Sequence, residues 1–287
     1  MVRYPEFRVL NRTFWLRLAV AALASVALLP AVQPDAQQID EAWQTLVLAA
    51  TRAASAKDYK AAEDLLQRAT RIADRFPAGD PRTGTTQNTL GLVYRDEKKL
   101  GDAEKAFQNA LTMLEKSYGQ ESIDVGNVNF NIASVMIADG KYDASLAYIQ
   151  RSHSIFVKVL GAESLKAAAS YCLLGEAYRN MGRFDDAEKP LKECADMREE
   201  SGGVESPELA DALYSLALVY EHQGRYKDAE PRLKLAAKIR ELTLGETSPE
   251  FAEALEAHSA LLKTMGRAAE AKKEDDLVAA VRRNEKK

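Results

Sequence analysis

The chain of 287 residues contains two cysteines and three histidines, and only 7% of it is aromatic. Two Cys are too few for a disulfide framework or a four-ligand zinc site. His153, His222 and His258 lie far apart, and none has a second His or Cys at ligand spacing. Excess positive charge is also missing. Lys plus Arg total 39 against 43 Asp plus Glu, a formal net charge of −4, and the cations do not cluster. A nucleic-acid partner is therefore not expected. Charges run along nearly the whole length, which excludes a multi-span membrane protein. No Gly-x-Ser-x-Gly elbow, His-Glu-x-x-His, P-loop or Gly-x-Gly-x-x-Gly occurs, so neither an enzyme nor a cofactor or metal site is expected. What remains, 46% apolar and 29% charged, is the composition of an ordinary folded chain. With so few aromatics, its core should be helical and built from Ala and Leu.

The first 36 residues are of a different kind. Arg3, Arg8, Arg12 and Arg17 precede the uncharged, mostly apolar run Leu18 to Leu29, and Pro30 and Pro34 then break any helix. A basic start, a short apolar run and small residues near its end are the layout of a secretory signal peptide. Residues 1–36 are expected to be that signal, cleaved after Ala27, Ala31 or Ala36. The chain is then exported, periplasmic or secreted; the alternative is an uncleaved N-terminal membrane anchor.

From there on the sequence repeats. Gly119, Gly161, Gly203 and Gly245 are spaced by 42, as are Ser122, Ser164, Ser206 and Ser248, and Gly140, Gly182, Gly224 and Gly266. The intervening segments LGLVYRDEKKLGDAEKAF, IASVMIADGKYDASLAYI, LGEAYRNMGRFDDAEKPL and LALVYEHQGRYKDAEPRL are related. A looser copy precedes them, and a terminal one ends the chain.

Each period reads as two helices. Ser206 is an N-cap, Pro207 suits the first helical position, and Leu209, Leu213, Leu216 and Tyr220 recur at helical spacing up to Gly224. The second helix runs from about Tyr226 to Leu244, with Ala229, Leu233 and Ala236 on one face, and stops at Gly245. Small residues at fixed places let the helices approach closely: Gly91, Ala133, Gly175 and Ala217 in the first helix, and Ala103, Ser145, Ala187 and Ala229 in the second. One such hairpin cannot bury its apolar face alone, so the units must stack. The expected architecture is all-α: one superhelical solenoid over residues 37–287, in six helix pairs at about 40–80, 81–121, 122–163, 164–205, 206–247 and 248–283.

Leu90-Gly91-x-x-Tyr94, Leu174-Gly175-x-x-Tyr178, Ala187 and Leu191 resemble the tetratricopeptide repeat (TPR) pattern. Its usual period is about 34 residues with a closing Pro. Here the period is 42 and that Pro is missing, so the second helix should be about two turns longer. The linkers Leu160-Gly161-Ala-Glu-Ser164 and Leu244-Gly245-Glu-Thr-Ser248-Pro249 resemble the kinesin light chain subclass, which usually carries His-Pro where this chain has Ser or Ser-Pro. The resemblance implies a TPR scaffold that takes a peptide or partner helix in a concave groove. The alternative is a self-associating structural module of the cell envelope, possible as a homo-oligomer.

Along each first helix a second stripe faces away from the core at i, i+4 and i+7: Asn88, Leu92 and Arg95; Phe130, Ser134 and Ile137; Cys172, Glu176 and Arg179; Tyr214, Leu218 and Glu221. Exposed Phe130, Ile137, Tyr214 and Leu218 would be costly without a binding role. Asn127 and Asn131 suit the backbone of a bound peptide, and Arg95 and Arg179 suit its acidic side chains. The expected partner-binding residues are therefore Asn88, Leu92, Arg95, Asn127, Phe130, Asn131, Ile137, Arg179, Tyr214 and Leu218. The carboxylate clamp of chaperone-binding TPR domains is not visible, because its places hold Leu92, Ser134, Glu176 and Leu218. His153 is expected on a solvated surface. His222 should either cap a helix end or touch a ligand. His258 and Asp275 form either a pair or simply an atypical, half-exposed end repeat. Cys194 should be small and buried. Cys172, on the opposite face of its helix, should point away from it, so a disulfide is not expected.

Overall fold

A computed structural model describes residues 35–201 and 206–284. The described residues form twelve helices and no strand: α1 (Ala36–Ser55), α2 (Tyr59–Ala73), α3 (Pro81–Asp96), α4 (Leu100–Tyr118), α5 (Ile123–Ala138), α6 (Tyr142–Leu160), α7 (Leu165–Asn180), α8 (Phe184–Glu200), α9 (Pro207–His222), α10 (Tyr226–Leu244), α11 (Pro249–Thr264) and α12 (Ala268–Asn284). They are six hairpins, odd-numbered first helix and even-numbered second helix. From α3 onward the first helices have 16 residues and the second helices 17 to 19, as the long period requires. The expected signal segment lies outside the described residues except for its last two. Asp35 caps α1 by accepting from the Gln38 N–H, and Gln38 reaches back to the Asp35 N–H, so an end point after Ala36 would remove this capping box.

The caps repeat with the period. Ser122, Ser164, Ser206 and Ser248 each accept from the backbone N–H three residues on, and Asp80 with Pro81 starts α3. At the tip of each hairpin one residue takes a left-handed conformation. It is Gly140, Gly182, Gly224 and Gly266 in the later units, but Lys57 and Lys98 in the first two. The hairpin then closes tightly: a Cβ built on Gly91 would stand 2.5 Å from the Phe107 ring.

The core lies between hairpins as much as within them. Phe107, Ala110 and Leu114 of α4 pack with Val125, Val128 and Ile132 of α5. Leu191 of α8 packs with Leu216 and Tyr220 of α9, Leu233 of α10 and Leu261 of α11. Successive first helices from α1 to α9 also touch one another, whereas no pair of successive second helices meets to that extent among the described residues. The first helices therefore line the inner side of the curve. At the hairpin tips a register of ion pairs links units, Lys141 with Glu104, Arg225 with Glu188 and Arg267 with Glu230. Solvent screens such pairs, so they contribute little to stability.

Cys172 and Cys194 correct the sequence expectation. They form a disulfide between α7 and α8, with Cα atoms 5.3 Å apart. Position 172 shares the register of Phe130 and Tyr214, which lean toward the second helix of their own hairpin rather than straight into the groove; the Phe130 and Phe156 ring centroids are 6.3 Å apart. A crosslink enclosing 22 residues stabilises by about 3 kcal/mol on loop-closure grounds.

Left-handed lysine is strained where glycine is not. Lys98→Gly is expected to raise stability by about 1 kcal/mol, and Lys98→Ala to give no such gain. Denaturant midpoints compared with the unchanged chain check both.

Candidate functional site

The inner face carries a cavity of about 360 Å³ between α3, α5 and α7, lined by Asn88, Leu92, Asn127, Phe130, Asn131, Phe156, Lys166 and Ala169. Five of these, Asn88, Leu92, Asn127, Phe130 and Asn131, are among the expected partner-binding residues, and three of the five belong to the stripe read from the sequence. Its floor is apolar: Phe130 tilts against Phe156, and Leu92 packs on the α4–α5 core. Its rim is amide and cation. Asn131 donates to the Asn88 side-chain carbonyl at 3.0 Å, and Lys166 donates to the Asn127 side-chain carbonyl at 2.5 Å while standing over the Phe156 ring. Each amide keeps hydrogen-bonding capacity that these bonds do not use.

The other expected residues fall elsewhere. Ile137 was expected to be exposed. It is buried at 7% exposure among Ala133, Ile149, Leu173 and Ala177, because the end of α5 is covered by α6 and α7. Arg95 sits at the end of α3 in an ion pair with Asp96. Leu218 is half-buried on α9. Tyr214 is no free aromatic: it packs against three core clusters, and Arg240 lies over its ring at 4.6 Å. Burial, reinforced by Glu253, pushes the Tyr214 hydroxyl up to about 12. Arg179 lines the same stretch with its Nε buried and unpartnered, near Glu176, whose carboxyl burial pushes above the usual range.

The sequence analysis passed over Phe156, Lys166 and Ala169 of the cavity, and the buried Arg240. Arg240 is 4% exposed. It donates to Asp211 at 2.9 Å, to Glu253 at 3.1 Å and to the Glu250 backbone carbonyl at 2.8 Å. The available signal was the column Leu114, Phe156, Arg198, Arg240, at the 42-residue spacing, where apolar gives way to cationic.

The histidines also differ from expectation. His153 is half-buried against Tyr171, ring centroids 4.4 Å apart, and its Nδ1 is 2.8 Å from the Ser170 hydroxyl. That hydroxyl already donates to the Ala167 carbonyl, so Nδ1 carries the proton and donates. His258 is buried and pairs with Glu274, not Asp275; Asp275 instead accepts from Ser259 and Lys263. One step of register decides this: each of these α12 carboxylates meets the α11 residue sixteen before it, Glu274 at His258 and Asp275 at Ser259. His222 is exposed and stacks on Phe184, ring centroids 4.1 Å apart.

The tetratricopeptide repeat family model matches residues 41–116, 124–200 and 208–274. The chain belongs to the tetratricopeptide repeat family. Among solved structures, BtubC (BKLC) from P. vanneervenii is similar at 20% identity, covering 82% of this chain and 94% of that one, with a TM-score of 0.67. The kinesin light chain TPR-like repeats of Podosopora anserina are similar at 19% identity over 70% of this chain and 95% of that one, TM-score 0.58. These likenesses show the fold, a TPR solenoid whose neighbours include the kinesin light chain type. Among curated relatives, Clustered mitochondria protein homologs of Emericella nidulans and Aedes aegypti are 26% and 28% identical over 31% and 47% of this chain. The matched segments span only 7% and 10% of those longer proteins. The relatives correct the expected location: their name, shared by a series of matches, points away from a periplasmic or secreted protein. None of the described helices is long and apolar enough to cross a membrane.

Two tests follow from these side chains. Replacing both Asp211 and Glu253 by Ala leaves the Arg240 charge buried and is expected to cost about 3–5 kcal/mol. Arg240→Met returns two well-exposed carboxylates to water and gives up one bond to the Glu250 carbonyl and the cation over the Tyr214 ring, while keeping an apolar stem against that ring, and should cost about 1–2 kcal/mol, less than the double carboxylate change. Urea unfolding of both variants measures the asymmetry. For His153, burial lowers the pKa below the ordinary His value, so the unfolded chain takes up the proton more readily. Stability from the neutral ring is present above the unfolded pKa and is lost as pH falls through it toward the lower folded one. Melting temperature should drop more steeply for the wild type than for His153→Gln between about pH 7.5 and about pH 5.

Proposed function

We propose that this chain is a non-enzymatic scaffold that binds an extended peptide segment or partner helix of another protein on its inner face, at the cavity between α3, α5 and α7. The observation that carries this is the cavity itself: an apolar floor of Leu92, Phe130 and Phe156 under a rim of side-chain amides. A floor of that kind takes a side chain, and amides at its rim suit the backbone on either side of it. Arg179 and the half-buried Leu218 lie further along the first helices toward the C-terminal units.

TPR folds characteristically serve protein–protein interaction. A Rap protein, 14% identical to this chain with a TM-score of 0.58, was solved in complex with Competence and Sporulation Factor. The one hydroxyl–imidazole pair noted above is a poor nucleophile site: Ser170 is 1% exposed and its proton is held by the Ala167 carbonyl.

The test is site-specific photocrosslinking from position 131 in extracts of the native host, beside a variant carrying Leu92→Glu and Asn88→Lys that circular dichroism shows to be folded. The expected result is a discrete crosslinked protein that the variant loses. Crosslinks that persist unchanged in the variant would sink the groove as the site.

A further inference from the structure

The inner face changes chemistry along its length, and the repeat register shows where the change leaves a gap. One position on each second helix lies between two first-helix positions, 29 residues before it and 13 after it. In the third unit this residue is Phe156, between Asn127 and Ala169, and all three line the cavity. In the fifth unit it is Arg240, hydrogen-bonded to both Asp211 and Glu253 and covered by the Tyr214 ring. In the fourth unit it is Arg198, between Ala169 and Asp211.

Arg198 therefore has the position of Arg240 without its hydrogen-bonded carboxylates; Glu208 and Asp211 act on it only through the field of their charges. Asp211 is engaged by Arg240, Ala169 offers no carboxylate, and Cys172 stands where Tyr214 supplies an aromatic cover. The Arg198 side chain is only 12% exposed, its Nε has no partner, and the Glu208 carboxylate that reaches it stands 3.9 Å away and is itself 61% exposed. A guanidinium held this deep with so little compensation is costly to the fold; its repeat mate Arg240 also leaves Nε unpartnered but donates from its other nitrogens to two carboxylates and a backbone carbonyl. Ala169 is also a wall of the cavity, so the place of the missing acid opens onto the groove.

We propose that the space over Ala169 beside Arg198 is a carboxylate subsite: an Asp or Glu side chain of the bound segment takes the place that an acid at position 169 would hold, and accepts hydrogen bonds from the Arg198 guanidinium. The partner segment then carries an acidic residue next to an apolar one, the apolar side chain entering the cavity over Phe130 and Phe156. Lys166 on the cavity rim adds positive charge on the same side. This inference rests on the groove reading and specifies the partner's chemistry.

The experiment measures fluorescence anisotropy with three pools of labelled nonapeptides, random at the flanks, whose central pair is Leu-Asp, Leu-Ser or Leu-Lys. The Leu-Asp pool is expected to bind about tenfold more tightly than the Leu-Ser pool, as one charge-assisted hydrogen bond allows, and Arg198→Leu should erase the difference. Ala169→Asp supplies the acid from within. It should raise the melting temperature and abolish the preference, while Ala169→Ser should do neither. If all pools bind alike and binding is lost in Leu92→Glu, the groove stands and the subsite is overturned. A lower melting temperature for Ala169→Asp would likewise overturn the placement of Arg198. If no pool binds, the groove reading fails and takes the subsite with it.

Discussion

A helical hairpin of about 40 residues has an apolar face it cannot cover itself, and every other feature of this protein follows from the need to cover it with the next hairpin. Phe107 and Leu114 of α4 reach Val125 and Ile132 of α5, and Leu191 of α8 reaches across to Leu216 of α9 and, through that cluster, to Leu261 of α11. Stability is thus shared between neighbours. The small residues at Gly91 and Gly175 matter because they let the second helix approach closely enough for Phe107 and Leu191 to fill the gap. The serine caps and left-handed tips fix where each helix starts and stops, so the apolar faces come into register.

The same stacking that hides one side of each first helix exposes another. Because the first helices from α1 to α9 touch along the inner curve, their second stripe becomes one continuous surface rather than five separate ones. Its composition is not uniform. Around α3 to α7 it is amide and aromatic, with a cavity; around α7 to α11 it is charged, with Glu176, Arg179, Asp211, Arg240 and Glu253 in close association. A periodic scaffold carrying an aperiodic lining is how one fold can recognise a particular partner: the backbone supplies spacing, and the side chains at equivalent positions supply difference.

The fold was legible because the signals that specify it are local and repeated. Ser206-Pro207, Gly224 and the Leu209–Tyr220 pattern each define a helix boundary or face within a few residues, and the structure places α9 at Pro207–His222 and α10 at Tyr226–Leu244. The inner stripe was legible for the same reason, since i, i+4 and i+7 share a face whatever surrounds the helix. What surrounds it was not legible. Ile137 belongs to that stripe by spacing, yet the neighbouring helices cover it; Tyr214 belongs to it as well, yet it is packed into the core and roofed by Arg240.

The sequence by itself determined that this is a solenoid of two-helix units, where each unit begins and ends, and which residues are equivalent from one unit to the next. Helix periodicity and capping depend only on neighbours within a turn or two. Only the tertiary structure decided which equivalent residues meet. The pairing of Cys172 with Cys194, of His258 with Glu274, and of Arg240 with Asp211 and Glu253 depends on the angle at which one helix crosses the next. That angle is set by the packed volume of side chains from three helices at once, a quantity that no single helix encodes.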